Sequence, residues 1–206
     1  MADGYIVNDK ILYNIADAIR NKNGESTLYR PQDMADAILS IGAINLTPEL
    51  IQVLNKTITT LDDSIDRKIT NIGRYACYSC SQLSSINLPV CISVGYSAFN
   101  RCSNLSSINL SACTSIGNYA FQNCALLTTV NLPACTSIET GAFQNCTSLT
   151  SIILSGSTVC SLGNISAFNN TPIESGTGYI YVPANLVDTY KAATNWSTYS
   201  SRIVAG

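Results

Sequence analysis

The chain has 206 residues with 11 basic and 13 acidic side chains, a formal charge of −2. It has no histidine, which excludes Ser-His and Cys-His nucleophiles and His-ligated zinc, and the balanced charge gives no general pull toward nucleic acid. Hydrophobic residues make up 46%, enough for a core, yet no apolar run approaches the roughly 18 residues of a membrane span.

Charge is unevenly placed. Residues 1–74 hold 18 of the 24 charged side chains, and between Tyr75 and Pro172 only Arg101 and Glu139 are charged. The head therefore reads as an ordinary charged surface and the middle as a neutral stretch rich in Ser, Thr, Asn and Cys. The start, MADGYIVNDKILYNIADAIR, lacks the basic n-region and unbroken apolar stretch of a secretory signal. Such a chain is expected in the cytosol or delivered by another route, such as assembly into a particle.

In the head, Ile11, Leu12, Ile15, Ala18 and Ile19 mark one face of a helix over 8–22. Asn8 or Asp9 can cap its start and Gly24 can end it. Pro31 opens a second helix with Met34, Ala35, Ile38 and Leu39 on one face. The order "IADAIR", a glycine, then "MADAI" resembles an N-terminal module of tail and fibre proteins of bacteriophages that infect Gram-positive bacteria, over residues 9–42. That resemblance implies attachment of residues 1–46 to a virion or a neighbouring protein; a helical hairpin packed on its own chain is the plainer alternative. Thr47-Pro48 then starts a linking or capping helix over 47–68. Its stripe of Leu50, Leu54, Ile58, Leu61 and Ile65 fits either a homo-oligomeric contact or packing on the first coil of the repeats.

The repeat decides the fold. Leu83, Leu105, Leu127 and Leu149 lie 22 residues apart, as do Ile86, Ile108, Val130 and Ile152, and Leu88, Leu110, Leu132 and Leu154. A fixed period of this size signals a solenoid. One L-x-x-I-x-L strand cannot bury its apolar face alone, whereas stacked coils make a parallel sheet with a continuous core. In the returning half, Ile116 and Phe121 should fill the interior and Gly117 should permit the turn. The units "LSSINLPVCISVGYSAFNRCSN", "LSSINLSACTSIGNYAFQNCAL" and "LTTVNLPACTSIETGAFQNCTS" resemble the BspA-like leucine-rich repeat family. The resemblance, taken with the helical head and the tail, gives the expected fold class, an α+β repeat: a right-handed leucine-rich repeat solenoid with one parallel sheet strand per 22-residue coil, a helical N-terminal head and a strand-helix C-terminal cap. It also implies an extracellular or surface-associated binding or adhesion module rather than catalysis, and names no ligand; a place in a virion is what the head motifs imply.

Repeats are expected over 69–175. Ile69 to Ile72 and Ala76 to Cys80 match a returning half. Their strand half would need apolar residues at Ser64 and Asp66, so a helix is expected there. The cap spans 176–206: Tyr179-Ile180-Tyr181-Val182 reads as a further strand, Pro183 suits the first turn of a helix to about Ala193, and Tyr190 and Trp196 should cover the last coil. The tail "GYIYVPANLVDTYKAATNWSTYSSRIVAG" is similar to those that end many BspA-like arrays.

No catalytic set, metal site or cofactor site is expected. Cys77-x-x-Cys80 has redox or zinc spacing, but Cys77 sits where later units place Phe99, Phe121 and Phe143. Cys80, Cys102, Cys124 and Cys146 share one repeat position, and Cys91, Cys113 and Cys135 another. Free, buried thiols are the expectation for all nine cysteines. Sequons at Asn104 and Asn145 are what so Ser/Thr/Asn-rich a chain produces by chance. The outward strand positions Ser85, Asn87, Ser107, Asn109, Thr129, Asn131, Ser151 and Ile153 form a neutral surface of short donors and acceptors. It could hydrogen-bond a protein or a cell-surface glycan, or be a solvated face whose Asn side chains ladder with one another. It lacks the aromatic and Arg residues of strong interfaces.

Overall fold

A computed structural model describes residues 58–62 and 69–206 of the chain. The head helices expected in 1–46 and residues 47–57 and 63–68 of the expected linking helix lie outside the described residues. The described part is a stack of short parallel strands. Each L-x-x-I-x-L unit contributes one strand centred on its Ile or Val, preceded by one centred on Leu61: β1 Thr60–Asp62, β3 Ser85–Asn87, β5 Ser107–Asn109, β7 Thr129–Asn131 and β9 Ser151–Ile153. The alternation of side chains along a strand buries Ile86, Val130 and Ile152 while their neighbours face outward. Ser85 pairs with Ser107 and Ile86 with Ile108, so residues 22 positions apart stand side by side.

The returning half holds a second strand, where one per unit was expected. β2 Asn71–Ile72, β4 Ser93–Val94, β6 Ser115–Ile116, β8 Ser137–Ile138 and β10 Ser161–Leu162 form an unbroken parallel sheet. Two residues suffice for a rung because each unit repeats the same backbone path, and the backbone N–H and C=O groups find partners in the next unit. Tyr75 N donates to Tyr96 O (2.9 Å), Cys77 N to Ala98 O (2.8 Å) and Ser79 N to Asn100 O (2.7 Å). Many turn groups thus find their partners between units rather than within one. The outer ladder is less regular: β5 and β7 touch but belong to separate sheets, and Ile108 beside that seam is only half-buried.

Two expectations about backbone and register are corrected. Thr60–Asp62 is a strand, not part of a helix, and pairs with β3 through Leu61 and Ile86. The offset is 25 residues rather than 22, so the buried position falls at Leu61, three residues before the polar Ser64. Gly117 has no left-handed φ among the positive-φ residues. A Cβ there would lie 2.9 Å from Gly95 C and Val94 O, so glycine serves close stacking of units, not a turn. Within the repeats the left-handed positions are instead two rows of mostly non-glycine residues: Tyr75, Ser97, Tyr119 and Gly141, and Ser79, Arg101, Asn123, Asn145 and Asn170. Asn suits this region better than most residues, and its amides ladder, Asn145 Nδ2 to Asn123 Oδ1 at 2.9 Å and Asn170 Nδ2 to Asn145 Oδ1 at 2.7 Å.

Phe99, Phe121, Phe143 and Phe168 stack through the interior with centroids 5.2, 5.5 and 5.9 Å apart. The C-terminal end closes as a cap. β11 Tyr179–Val182 pairs with β9, as expected. Pro183 precedes a 3-10 turn at Ala184–Leu186 and the helix Val187–Ala192. A 3-10 segment, Trp196–Arg202, and a last strand, β12 Ile203–Ala205 beside β11, were not anticipated. Trp196 and Tyr190 are buried over the last coil, with Trp196 Nε1 donating to Cys160 O (2.7 Å) and Cys160 N donating to Tyr190 Oη (2.9 Å).

Candidate functional site

The outer strands bring the eight sequence-selected residues onto one face in two rows, Ser85, Ser107, Thr129, Ser151 and Asn87, Asn109, Asn131, Ile153. Asn87, Ser107, Asn109, Thr129 and Asn131 are exposed; Ser85, Ser151 and Ile153 are half-buried. The Asn ladder forms at one step, Asn109 Nδ2 to Asn87 Oδ1 at 2.7 Å. It stops at the seam between β5 and β7, and the backbone ladder resumes with Thr129 opposite Ser151 and Asn131 opposite Ile153.

The face does not end at Ile153, where the repeat positions end. β11 extends both rows: Tyr179 stands beside Ser151 and Tyr181 beside Ile153. Tyr179 is 40% exposed, and the two rings lie 6.4 Å apart. Arg202 reaches over Tyr179, its Cζ 5.4 Å from the ring centroid, and donates to Gly176 O. One end of the face thus carries the aromatic and Arg groups that the repeat positions lack. Their signal was present in the alternation Tyr179-Ile180-Tyr181-Val182, which specifies two outward tyrosines as soon as the segment is read as a strand.

A cleft of about 190 Å³ lies nearby, between the helix Pro172–Ser175 and the 3-10 segment, lined in part by Ile165, Ile173, Glu174 and Arg202. It is below the roughly 300 Å³ of ordinary ligand pockets. Two of its polar groups are already engaged: Glu174 Oε2 accepts from Asn170 N (2.6 Å) and Tyr199 Oη donates to Ile165 O. Among the described residues no cluster of His, Cys, Asp and Glu could hold a metal ion, and no helix is long and apolar enough to cross a membrane.

All nine cysteines are buried and none is in a disulfide. Cys102, Cys124 and Cys146 donate S–H to Cys77 O, Phe99 O and Phe121 O at 3.1–3.3 Å, so the repeated thiol is a small core group that also ties one unit to the one before. Contact with Cys80 and burial hold the Cys77 thiol well above its usual value, the reverse of a reactive Cys-x-x-Cys. Burial pushes Cys113 from 9.0 up to about 12. The unfolded chain therefore releases this proton at a lower pH than the native chain. The contribution is intact below about 9 and is lost as pH rises toward 12. Stability is expected to fall over that alkaline window. A thiol reagent near pH ~8 is expected to find few groups in the native protein and nine after unfolding without reductant. A count far below nine would reveal disulfides.

Comparison with known proteins identifies the architecture. Residues 64–192 match the family model described as BspA type leucine rich repeat region, in six copies. No curated protein matches the chain. Among solved structures, the chain is similar to a T. pallidum leucine-rich repeat protein at 22% identity and a TM-score of 0.54, over 68% of each chain. It is also similar to a leucine-rich repeat protein from Bacteroides ovatus (22% identity, TM-score 0.46, 66% of this chain and 37% of that one) and to a leucine rich cell surface protein from Faecalibacterium prausnitzii (26% identity, TM-score 0.43, 60% and 38%). The chain thus spans well under half of the last two proteins.

Proposed function

The chain belongs to the BspA-type leucine-rich repeat family, and we propose that it is a non-enzymatic binding module whose outer sheet face recognises a protein or a cell-surface glycan. The observation that carries this reading is the in-register extension of the Ser/Thr and Asn rows by Tyr179 and Tyr181. Rigid aromatic rings beside an Arg supply contact area at small entropic cost, and Tyr and Arg are the residues in which binding energy concentrates. The polar rows from Asn87 to Asn131 would then orient a ligand anchored at the tyrosine end. The array is taken as a right-handed solenoid, the hand in which parallel crossovers wind, with one turn per 22 residues.

The motifs of residues 9–42 support a place in a phage or prophage tail, with the head attached to the particle and the repeats turned toward the host. A bacterial surface or intracellular adhesion module with no virion role accords equally well with the family. Tail and lysis genes beside this one, or their absence, separate the two.

The test is binding of the labelled full-length protein to intact bacterial cells and to isolated cell-wall glycan. Tyr179→Ser with Tyr181→Ser is expected to weaken binding by at least about tenfold while the fold persists. Unchanged binding by a folded double variant would remove the sheet face from recognition.

A further inference from the structure

A second surface lies on the turns that flank the Phe-column position of the first units, at residues outside the outer strands. Within residues 69–172, every tyrosine and both cations fall in one cluster there: Arg74, Tyr75, Tyr78, Tyr96, Arg101 and Tyr119. Tyr75 meets Tyr78 and Tyr96 edge-on at 5.7 and 5.3 Å, and Tyr96 meets Tyr119 at 5.8 Å. Arg74 lies over Tyr96 (5.1 Å) and Tyr75 (5.9 Å), and Arg101 over Tyr78 (5.9 Å). Both arginines are exposed, and among the described residues neither meets a carboxylate.

This cluster is costly to build. Tyr75, Tyr119 and Arg101 have φ of 57°, 56° and 64°, a conformation in which a bulky side chain costs roughly 1–2 kcal/mol. Later units put Gly141, Asn123 and Asn145 at the same positions, residues that adopt it more cheaply. Gly141 also leaves the space that the Tyr119 ring occupies, since a Cβ there would sit 2.4 Å from Tyr119 Cδ1. Bulky side chains kept at strained positions where the later units place Gly or Asn point to what those side chains do.

We propose that the Arg74–Tyr119 cluster is a second docking site, distinct from the sheet face, for an acidic peptide segment of a partner protein. The rings close on one another edge to face and on Arg74, leaving two exposed guanidinium forks. A fork held on a ring is preorganised for a carboxylate, and no acidic side chain of the cluster opposes one. Two cations are too few for the phosphate neutralisation that nucleic acid binding requires, and edge-on rings offer no open platform for a sugar.

The probe is a fluorescein-labelled peptide of alternating Glu and Leu, titrated into the full-length protein by anisotropy, beside the same peptide with Gln for Glu and beside polygalacturonate. The Glu peptide is expected to bind, to weaken with added salt, and to outbind the Gln peptide. Arg74→Gln with Arg101→Asn is expected to cost at least about tenfold in affinity. Arg101→Asn alone, which installs the residue of the later units, is expected to hold or raise the melting temperature. No binding of the Glu peptide at about 1 mM, or affinity unchanged in the folded double variant, overturns the site. Polygalacturonate binding more tightly than the peptide through the same arginines overturns the peptide as occupant. Because the ring and cation contacts of Tyr179 and Tyr181 run to each other and to Arg202 and not to this cluster, their double variant is expected to leave peptide binding intact whatever becomes of the sheet-face reading.

Discussion

Phe121→Ala is expected to destabilise the protein by about 3–5 kcal/mol. The ring is fully buried and stacks nearly parallel between Phe99 and Phe143, at 5.2 and 5.5 Å. The cost of removing a core side chain depends on how far the surroundings can collapse into the void. Here they are held apart. Phe99 N donates to Ala120 O and Phe121 N to Ala142 O, each at 2.8 Å, so the units cannot slide together without breaking the bonds that define their spacing. A cost in the upper part of that range is expected, and with it a loss of cooperativity, because each unit of a stack is stabilised by its neighbours. Denaturant melts followed by circular dichroism measure both. A change below about 1 kcal/mol, the size of an average substitution, would mean that Phe121 does not stand in the core column.

The repeat was legible because one buried residue type recurs at each position of the period, as with the Phe column and Cys102, Cys124 and Cys146. What the sequence concealed falls where the period is broken or where the backbone does the work. Leu61 was hidden by a three-residue shift in register, and its own neighbours kept a helical spacing of apolar residues that competed with the strand. The second ladder was hidden because strands such as Ser115–Ile116 have two residues, too few to show an alternation. They form because identical backbones stack, a cause that lies between units and not within any one of them. The left-handed rows were partly visible as Asn123, Asn145 and Asn170. Tyr75, Tyr119 and Arg101 at equivalent positions gave no such cue, since their residue types disfavour that conformation. The outward residues of the sheet face followed from the strands. Its aromatic end required the rows to be followed past the last regular unit into the cap.

Trp196→Ala is expected to cost about 3–5 kcal/mol by cavity formation, and its effect should differ in kind from that of Phe121→Ala. Trp196 closes the stack: its ring lies 6.0 Å from Phe168 and 5.5 Å from Tyr190, and its Nε1 satisfies Cys160 O. Truncation therefore leaves a buried carbonyl without its donor, a further penalty of roughly 1–3 kcal/mol, and uncovers the last Phe of the column. An open end of a solenoid frays inward from that end. Hydrogen exchange is expected to lose protection first over residues 160–168 and the strand Tyr179–Val182, while β3 and its neighbours keep theirs. Trp196→Phe separates the two contributions, since it retains most of the covering ring and deletes only the N–H; its cost should fall near the hydrogen-bond figure alone. Uniform loss of protection from β3 to β12 would make the array a single cooperative block. Loss confined to the end would show that Tyr179 and Tyr181, whose strand is bordered by β12 and packed under the cap, owe their placement on the sheet face to the closure that Trp196 provides.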